Sequence, residues 1–439
     1  MMKRSIICLV LLLFVGTAIA GTTHAHATPK RSSETARRAL SPDSAVASKA
    51  IAELRAMGPT GLEAFLEANR AEVNAAVGSR NPASQRILGS LDSICAQKDC
   101  YASRLYWYTD LHQAELASKT TGKPILSLRL LGRLDADLSC ANSRFFRITL
   151  YANEQVSRFL GEHFVLQWQS VRPVPKITID FGDGRKMERT LTGNSIHYIL
   201  TPDGRVIDAL PGLYGPLAFL RELQRSLTVA STLQAATSVE QVNKTLRDYH
   251  QTRLSDIEAG WDADTKRAGL ARPPSREVTV NPDSSKPPSA PLAGTAAVTK
   301  ALRLERPVLR GLFDNTTLLD TLGNDAGWSA IARLHGEDAK LDEATRSLML
   351  VKDPSLKGIA IDQSLTALER SIAEDTVRNE YILHARIHQW LAGPMSASSV
   401  DTLNERVYAE LFLTPGSDAW LGLRPSDSFS GIDNDGIRP

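Results

Sequence analysis

Residues 99–230 present strand and helix patterns in an order that admits few folds. A helix pattern from Leu111 to Ser118 stops at Gly122-Lys123-Pro124, a strong helix breaker. Ile125 to Leu131 (ILSLRLL) then reads as a strand, and Ala141 to Leu150 and Asn153 to Leu160 read as helices. Phe164 to Trp168 is a second strand. Two hairpins follow. Ile177 to Phe181 alternates into the turn Gly182-Asp183-Gly184, and Ile196 to Leu200 pairs with Val206 to Leu210 across Pro202-Asp203-Gly204. Leu217 to Leu227 closes the unit with a helix. Strand, helix, strand, antiparallel hairpin and helix make a mixed sheet covered by helices, an α+β arrangement.

The flanks are helical. Residues 28–98 form a lead-in in which Ala50, Ile51, Leu54 and Met57, then Leu62, Phe65 and Leu66, then Val73, Ala76 and Val77 recur at helical spacing. Residues 231–271 read as one long polar helix, with Ser238 and Gln241 spaced as a capping box and a stripe of Val242, Leu246, Tyr249, Leu254 and Ile257. Six prolines and many serines make residues 272–295 a linker, and 296–439 returns to helix, with its longest pattern from Ser364 to Leu391. At the amino terminus, Lys3 and Arg4 precede an apolar run, Ser5 to Ala20, and small residues at two cut sites. That is the pattern of a secretory signal peptide over residues 1–27, and an exported protein, periplasmic or extracellular, is expected. No other stretch approaches the ~20 apolar residues of a membrane span.

Charge excludes one class of partner. The chain has 51 Lys and Arg against 49 Asp and Glu, and residues 1–27 contribute two of the bases and no acid. The remainder is neutral, which does not fit nucleic-acid coating. Four cysteines are too few for a disulfide scaffold, and Cys8 lies in the apolar run. Three remain, so one thiol is left over in any pairing. Cys95 and Cys100 are five residues apart and can bond only across a turn; a bond from one of them to Cys140 is the alternative.

Trp107, Ala114 to Ala117, Gly122-Lys123-Pro124 before an apolar strand, Cys140 at a helix start, Asn153-x-x-Val156, Phe164-Val165, Pro202-Asp203-Gly204-Arg205-Val206 and Pro211-Gly212 occur in that order. This series, under a third of the chain, resembles the thioredoxin-like superfamily. The resemblance implies a redox site at Cys140-Ala141-Asn142-Ser143, with Asn142 and Arg144 lining it. A helix amino terminus stabilises a thiolate, and Arg144 and Arg147 lie close in sequence. Ser143 stands where the family has its second cysteine and cannot resolve a mixed disulfide. Asn194 and Ser195 stand where the family has a cis-proline facing the thiol, and the buried carboxylate common in its first central strand is missing from Ile125 to Leu131. Two functions follow from the resemblance. One is monothiol exchange or isomerisation by Cys140 with protein thiols or disulfides. The other is a redox-inert scaffold that binds a protein of the cell envelope.

The remaining motifs have simpler readings. Glu380, His384 and His388 have metal-ligand spacing on one helix, but with Val377, Tyr381 and Leu391 they form a packing stripe, and no metal is assigned. Asp433-x-Asp435-Gly436 lacks the rest of a calcium loop. Gly182 and Gly184 are turn glycines, and no haem, nucleotide or other cofactor motif is present. His163 and His197 sit at strand ends, where a structural role is favoured over proton transfer at Cys140. The apolar tail from Tyr408 to Leu423 serves either packing or a partner.

Overall fold

The strand Ile125–Leu131 (β1), apolar but for Ser127 and Arg129, is buried along its whole length, as a central strand covered on both faces must be. The computed structural model describes residues 29–190, 194–277, 326–393 and 399–413. The expected signal peptide, most of the linker, Asp433-x-Asp435-Gly436 and the tail beyond residue 413 lie outside them.

β1 pairs in parallel with Val165–Arg172 (β2) and antiparallel with Ser195–Leu200 (β5). β5 pairs antiparallel with Val206–Pro211 (β6), giving the order β2-β1-β5-β6. The other hairpin, Lys176–Asp180 (β3) with Lys186–Thr190 (β4), stands apart as a largely exposed two-stranded ribbon. The fold is therefore mixed α/β, with a small mixed sheet and many helices.

Local chemistry explains the helix boundaries. Asp110 caps Leu111–Thr121 by accepting from the Gln113 amide, and Gly122 ends it at φ +71°. Asn153 caps Glu154–His163 through the Gln155 and Val156 amides. Ser238 accepts from the Gln241 amide to start Val239–Arg267, but the return bond from Gln241 goes to the Thr237 amide. The buried face of this helix is Leu246, His250, Arg253, Ile257, Trp261, Asp264 and Thr265. His250, Arg253 and Asp264, three of these seven, are ionisable and absent from the expected stripe.

Two cores result. Helices from Ser44–Ala56 to Pro82–Cys95 pack Leu54, Phe65, Leu91 and Ile94 around the Cys95–Cys100 disulfide. That bridge forms across a turn with Ala96 in the left-handed region, as the five-residue spacing requires. The Ala96 carbonyl accepts from Trp168 Nε1 at 2.7 Å, and the Cys95 carbonyl accepts from the Trp107 amide, so the turn joins the lead-in to the sheet.

The second core holds the sheet and the carboxy-terminal helices together. Trp328, Ile372, Ile387, Leu403 and Tyr408 belong to the same cluster as Leu126 and Leu128. The chain after β6 must turn tightly against these helices. Gly212 has φ +76°, and a Cβ on Gly215 would lie 2.2 Å from the Asp338 carbonyl oxygen. Gly215→Ala is therefore expected to lower stability by about 1–3 kcal/mol, the usual cost of overpacking, read as a lower urea midpoint at unchanged m-value.

Candidate functional site

Two places bring chemically capable side chains together. The first surrounds Cys140. Its amide donates to the Leu131 carbonyl at the end of β1, and it caps the short helix Ala141–Phe145, which continues into a π turn, Phe146–Leu150. Cys140 is the free cysteine among the described residues, and it is buried. The Cys95–Cys100 bond thus removes the expected alternative of a bridge to Cys140.

The predicted neighbours are divided. Cys140 Sγ lies 2.9 Å from Ser195 Oγ and 3.8 Å from the Asn194 carbonyl oxygen, so these two residues do face the thiol. Among the described residues no peptide bond is cis. Ser143 points elsewhere: its hydroxyl lies 2.6 Å from Ser139 Oγ and 3.0 Å from the Cys140 carbonyl oxygen. Asn142 is buried and Arg144 half-buried. Arg147 turns to the carbonyls of Ala136 and Asp137 and sits 3.9 Å from Asp99. His163 stacks on Phe159. His197 shares a hydrogen bond of 2.7 Å with the Tyr151 hydroxyl, and burial pushes its pKa down to about 3. His163 is exposed, and His197 is wholly enclosed among Tyr151, Phe146 and Phe219.

A segment from the other end of the chain reaches the Asn194 carbonyl beside the thiol. The π turn Val407–Leu411 buries Tyr408, whose hydroxyl donates to the Asn194 carbonyl at 3.0 Å. The preceding helix, Val400–Arg406, sets Asn404 against Tyr198 and Asp401 against the buried Arg129 of β1. Arg129 is thus the ionic group of β1.

The second place is a buried ion network. Residues 359–392 form one helix interrupted by the π turn Asn379–His384. This helix turns Glu380, His384 and His388 toward β6, where Asp208 is buried in a strand with no exposed residue. His384 Nε2 meets Asp208 Oδ1 at 3.0 Å, and His384 Nδ1 meets Glu380 Oε2 at 2.9 Å. Arg253 donates to Glu380 Oε1 at 2.8 Å and to Glu222 Oε2 at 3.0 Å. His250 Nδ1 and His388 Nδ1 are 2.9 Å apart. Burial opposes charge on His384, but Glu380 and Asp208 outweigh it and hold its pKa up at about 10. Burial, then the neighbouring Glu380, pushes Glu222 up to about 7. His250 falls to about 4 through burial. A cleft of about 500 Å³ opens beside the Glu222–Arg253–Glu380 end and is also lined by His335 and Asp338.

Asp208, Glu222, His250 and Arg253 escape the sequence reading. Asp208 is one acid among apolar residues of a hairpin strand, which passes for an exposed position. His250 and Arg253 fall at helical spacing between Leu246 and Ile257, and that placement is the signal that they are buried. The donor atoms of Asp208, His384 and His388, and those of Glu222, Glu380 and His384, form two groups close enough to hold a metal ion. Comparison with protein-family models, with curated proteins and with solved structures returns no match.

Two outcomes are expected of these ion pairs. Arg253→Met leaves Glu222 and Glu380 facing each other without their shared cation, and stability is expected to fall by about 3–5 kcal/mol in urea unfolding. His335 bonds Asp264 at 2.5 Å and lies 3.3 Å from Asp338. Those hydrogen bonds raise its pKa to about 9 against the opposing effect of burial. A raised histidine stabilises the fold fully below its unfolded pKa of about 6.5, and that contribution is lost as pH rises through about 9. The side chain is a quarter exposed, so wild type is expected to lose roughly 1–2 kcal/mol relative to His335→Gln between pH 6 and 9.5.

Proposed function

We propose that the protein is an exported, thioredoxin-like binding protein of the cell envelope whose central unit does not perform thiol–disulfide chemistry. The sheet order β2-β1-β5-β6, with one parallel and two antiparallel pairings, supports the family reading. So does Cys140 at the start of the helix that follows β1. Export rests on the basic, apolar and small-residue pattern of residues 1–27.

One observation carries the loss of chemistry: Cys140 is wholly buried, faces the Ser195 hydroxyl and lies by the Asn194 carbonyl that Tyr408 also reaches. Attack on a disulfide requires a thiolate sulfur in line with the target bond, hence access. Ser143 supplies no resolving thiol, and Cys95 and Cys100 are already bonded to each other. What remains is a sheet enclosed by helices from both ends of the chain, a surface for contact with another protein.

The test is the alkylation rate of Cys140 by N-ethylmaleimide in the native chain at pH 7. Because access requires local opening, labelling is expected to run about 100-fold or more slower than in the denatured chain. Labelling within about tenfold of the denatured rate overturns the proposal and favours monothiol exchange. Cys140→Ser is expected to show the same background disulfide exchange as wild type; a loss of exchange counts against an inert unit.

A further inference from the structure

Two nitrogens in the buried network have nothing to bond, Arg253 Nε and His388 Nε2. His388 Nε2 has no hydrogen-bond partner among the described residues, and His388 is wholly buried. Asp208 Oδ1 is 3.9 Å from it, beyond hydrogen-bond reach. A buried polar atom without a partner costs about 1–3 kcal/mol, so a fold that holds one has a reason to. The other ring nitrogen is held in place by His250 Nδ1 at 2.9 Å.

His384 repeats the arrangement one turn earlier. Its Nε2 faces Asp208 Oδ1 at 3.0 Å, and its Nδ1 is anchored by Glu380 at 2.9 Å. Two imidazoles therefore turn their Nε2 atoms toward one carboxylate oxygen while separate groups fix the two Nδ1 atoms. Asp208 is itself oriented by the Ala209 amide at 2.7 Å and by the Tyr249 hydroxyl on Oδ2. The three inward atoms lie within 4.8 Å of one another. A metal-binding histidine usually gives its other nitrogen to a carboxylate, carbonyl or water; Glu380 fills that place for His384, and the His250 imidazole fills it for His388.

We propose that Asp208 Oδ1, His384 Nε2 and His388 Nε2 bind one divalent first-row transition-metal ion. Two imidazoles and one carboxylate suit zinc, cobalt or nickel and do not suit calcium or magnesium, which take oxygen donors. The ion replaces the proton between His384 Nε2 and Asp208 Oδ1, gives His388 Nε2 a partner, and leaves Glu380 bonded to His384 Nδ1–H. All three donors are wholly buried, and three protein ligands leave one position of a tetrahedral ion for water or another group. It cross-links β6 to the helix at residues 359–392, which joins the sheet to the carboxy-terminal helices. This site is independent of what Cys140 does.

The test uses the full chain, stripped with a chelator and titrated separately with Zn²⁺ and Co²⁺. One ion per chain is expected to survive gel filtration, with a rise in the unfolding temperature. His388→Gln is expected to abolish retention, and Glu380→Gln, which removes an outer support, to weaken affinity about 10–100-fold. Failure of the folded wild type to retain either ion overturns the proposal. Equal retention by His388→Gln also overturns it, since the ion then sits elsewhere. If His388→Gln does not fold, X-ray absorption of the Co²⁺-loaded wild type decides: two imidazoles around the ion are expected, and a sphere without imidazole refutes the site.

Discussion

A carboxylate buried in a β-strand cannot stand alone, and Asp208 makes the rest of the structure answer to that constraint. Taking a charge out of water costs several kcal/mol unless it is paired and hydrogen-bonded. In this protein the partners come from outside the strand. His384 and His388 arrive on the helix at residues 359–392, and Tyr249 arrives on Val239–Arg267. Glu380, Arg253 and Glu222 extend the chain of charges to Pro216–Gln234. Four elements are therefore locked in register by polar contacts inside an apolar core. Dispersion and burial supply the bulk of the stability there, but they tolerate sliding; the charges specify one alignment.

The same carboxy-terminal half decides the fate of the thiol. A helix amino terminus with a cysteine is chemically able to hold a thiolate. Here Tyr408 and the residues around it lie over Asn194, and the ion pair of Arg129 with Asp401 and the bond from Tyr198 to Asn404 hold that cover on β1 and β5. Cys140 is wholly buried, and the Ser195 hydroxyl faces its sulfur at 2.9 Å.

Much of the local structure is legible in the residues. ILSLRLL reads as a buried strand because no position in it needs water except Arg129. The turns Gly182-Asp183-Gly184 and Pro202-Asp203-Gly204 predict both hairpins, since those residues accept the backbone angles a tight reversal needs. The Cys95–Cys100 bond is one of the pairings the sequence leaves open, and the turn at Ala96 brings those two together. His384 and His388 are legible as an inward-facing stripe, although they lie deeper than a core-edge reading places them. The ion network is not legible, because its members are spread over residues 208 to 388 and each looks ordinary where it stands.

The sequence by itself determined periodicity, turns and caps, because these depend on neighbours within a few residues. It also set a near balance of charge, 51 basic against 49 acidic residues, that argues against nucleic-acid partners. Tertiary structure alone decided which ionisable groups lose their water. Asp208 differs from an exposed strand acid only in what packs over it, and Cys140 differs from a reactive thiol only in what lies on top of it. Burial of a charge or a sulfur is a property of long-range packing, and long-range packing in this chain depends on helices more than a hundred residues away.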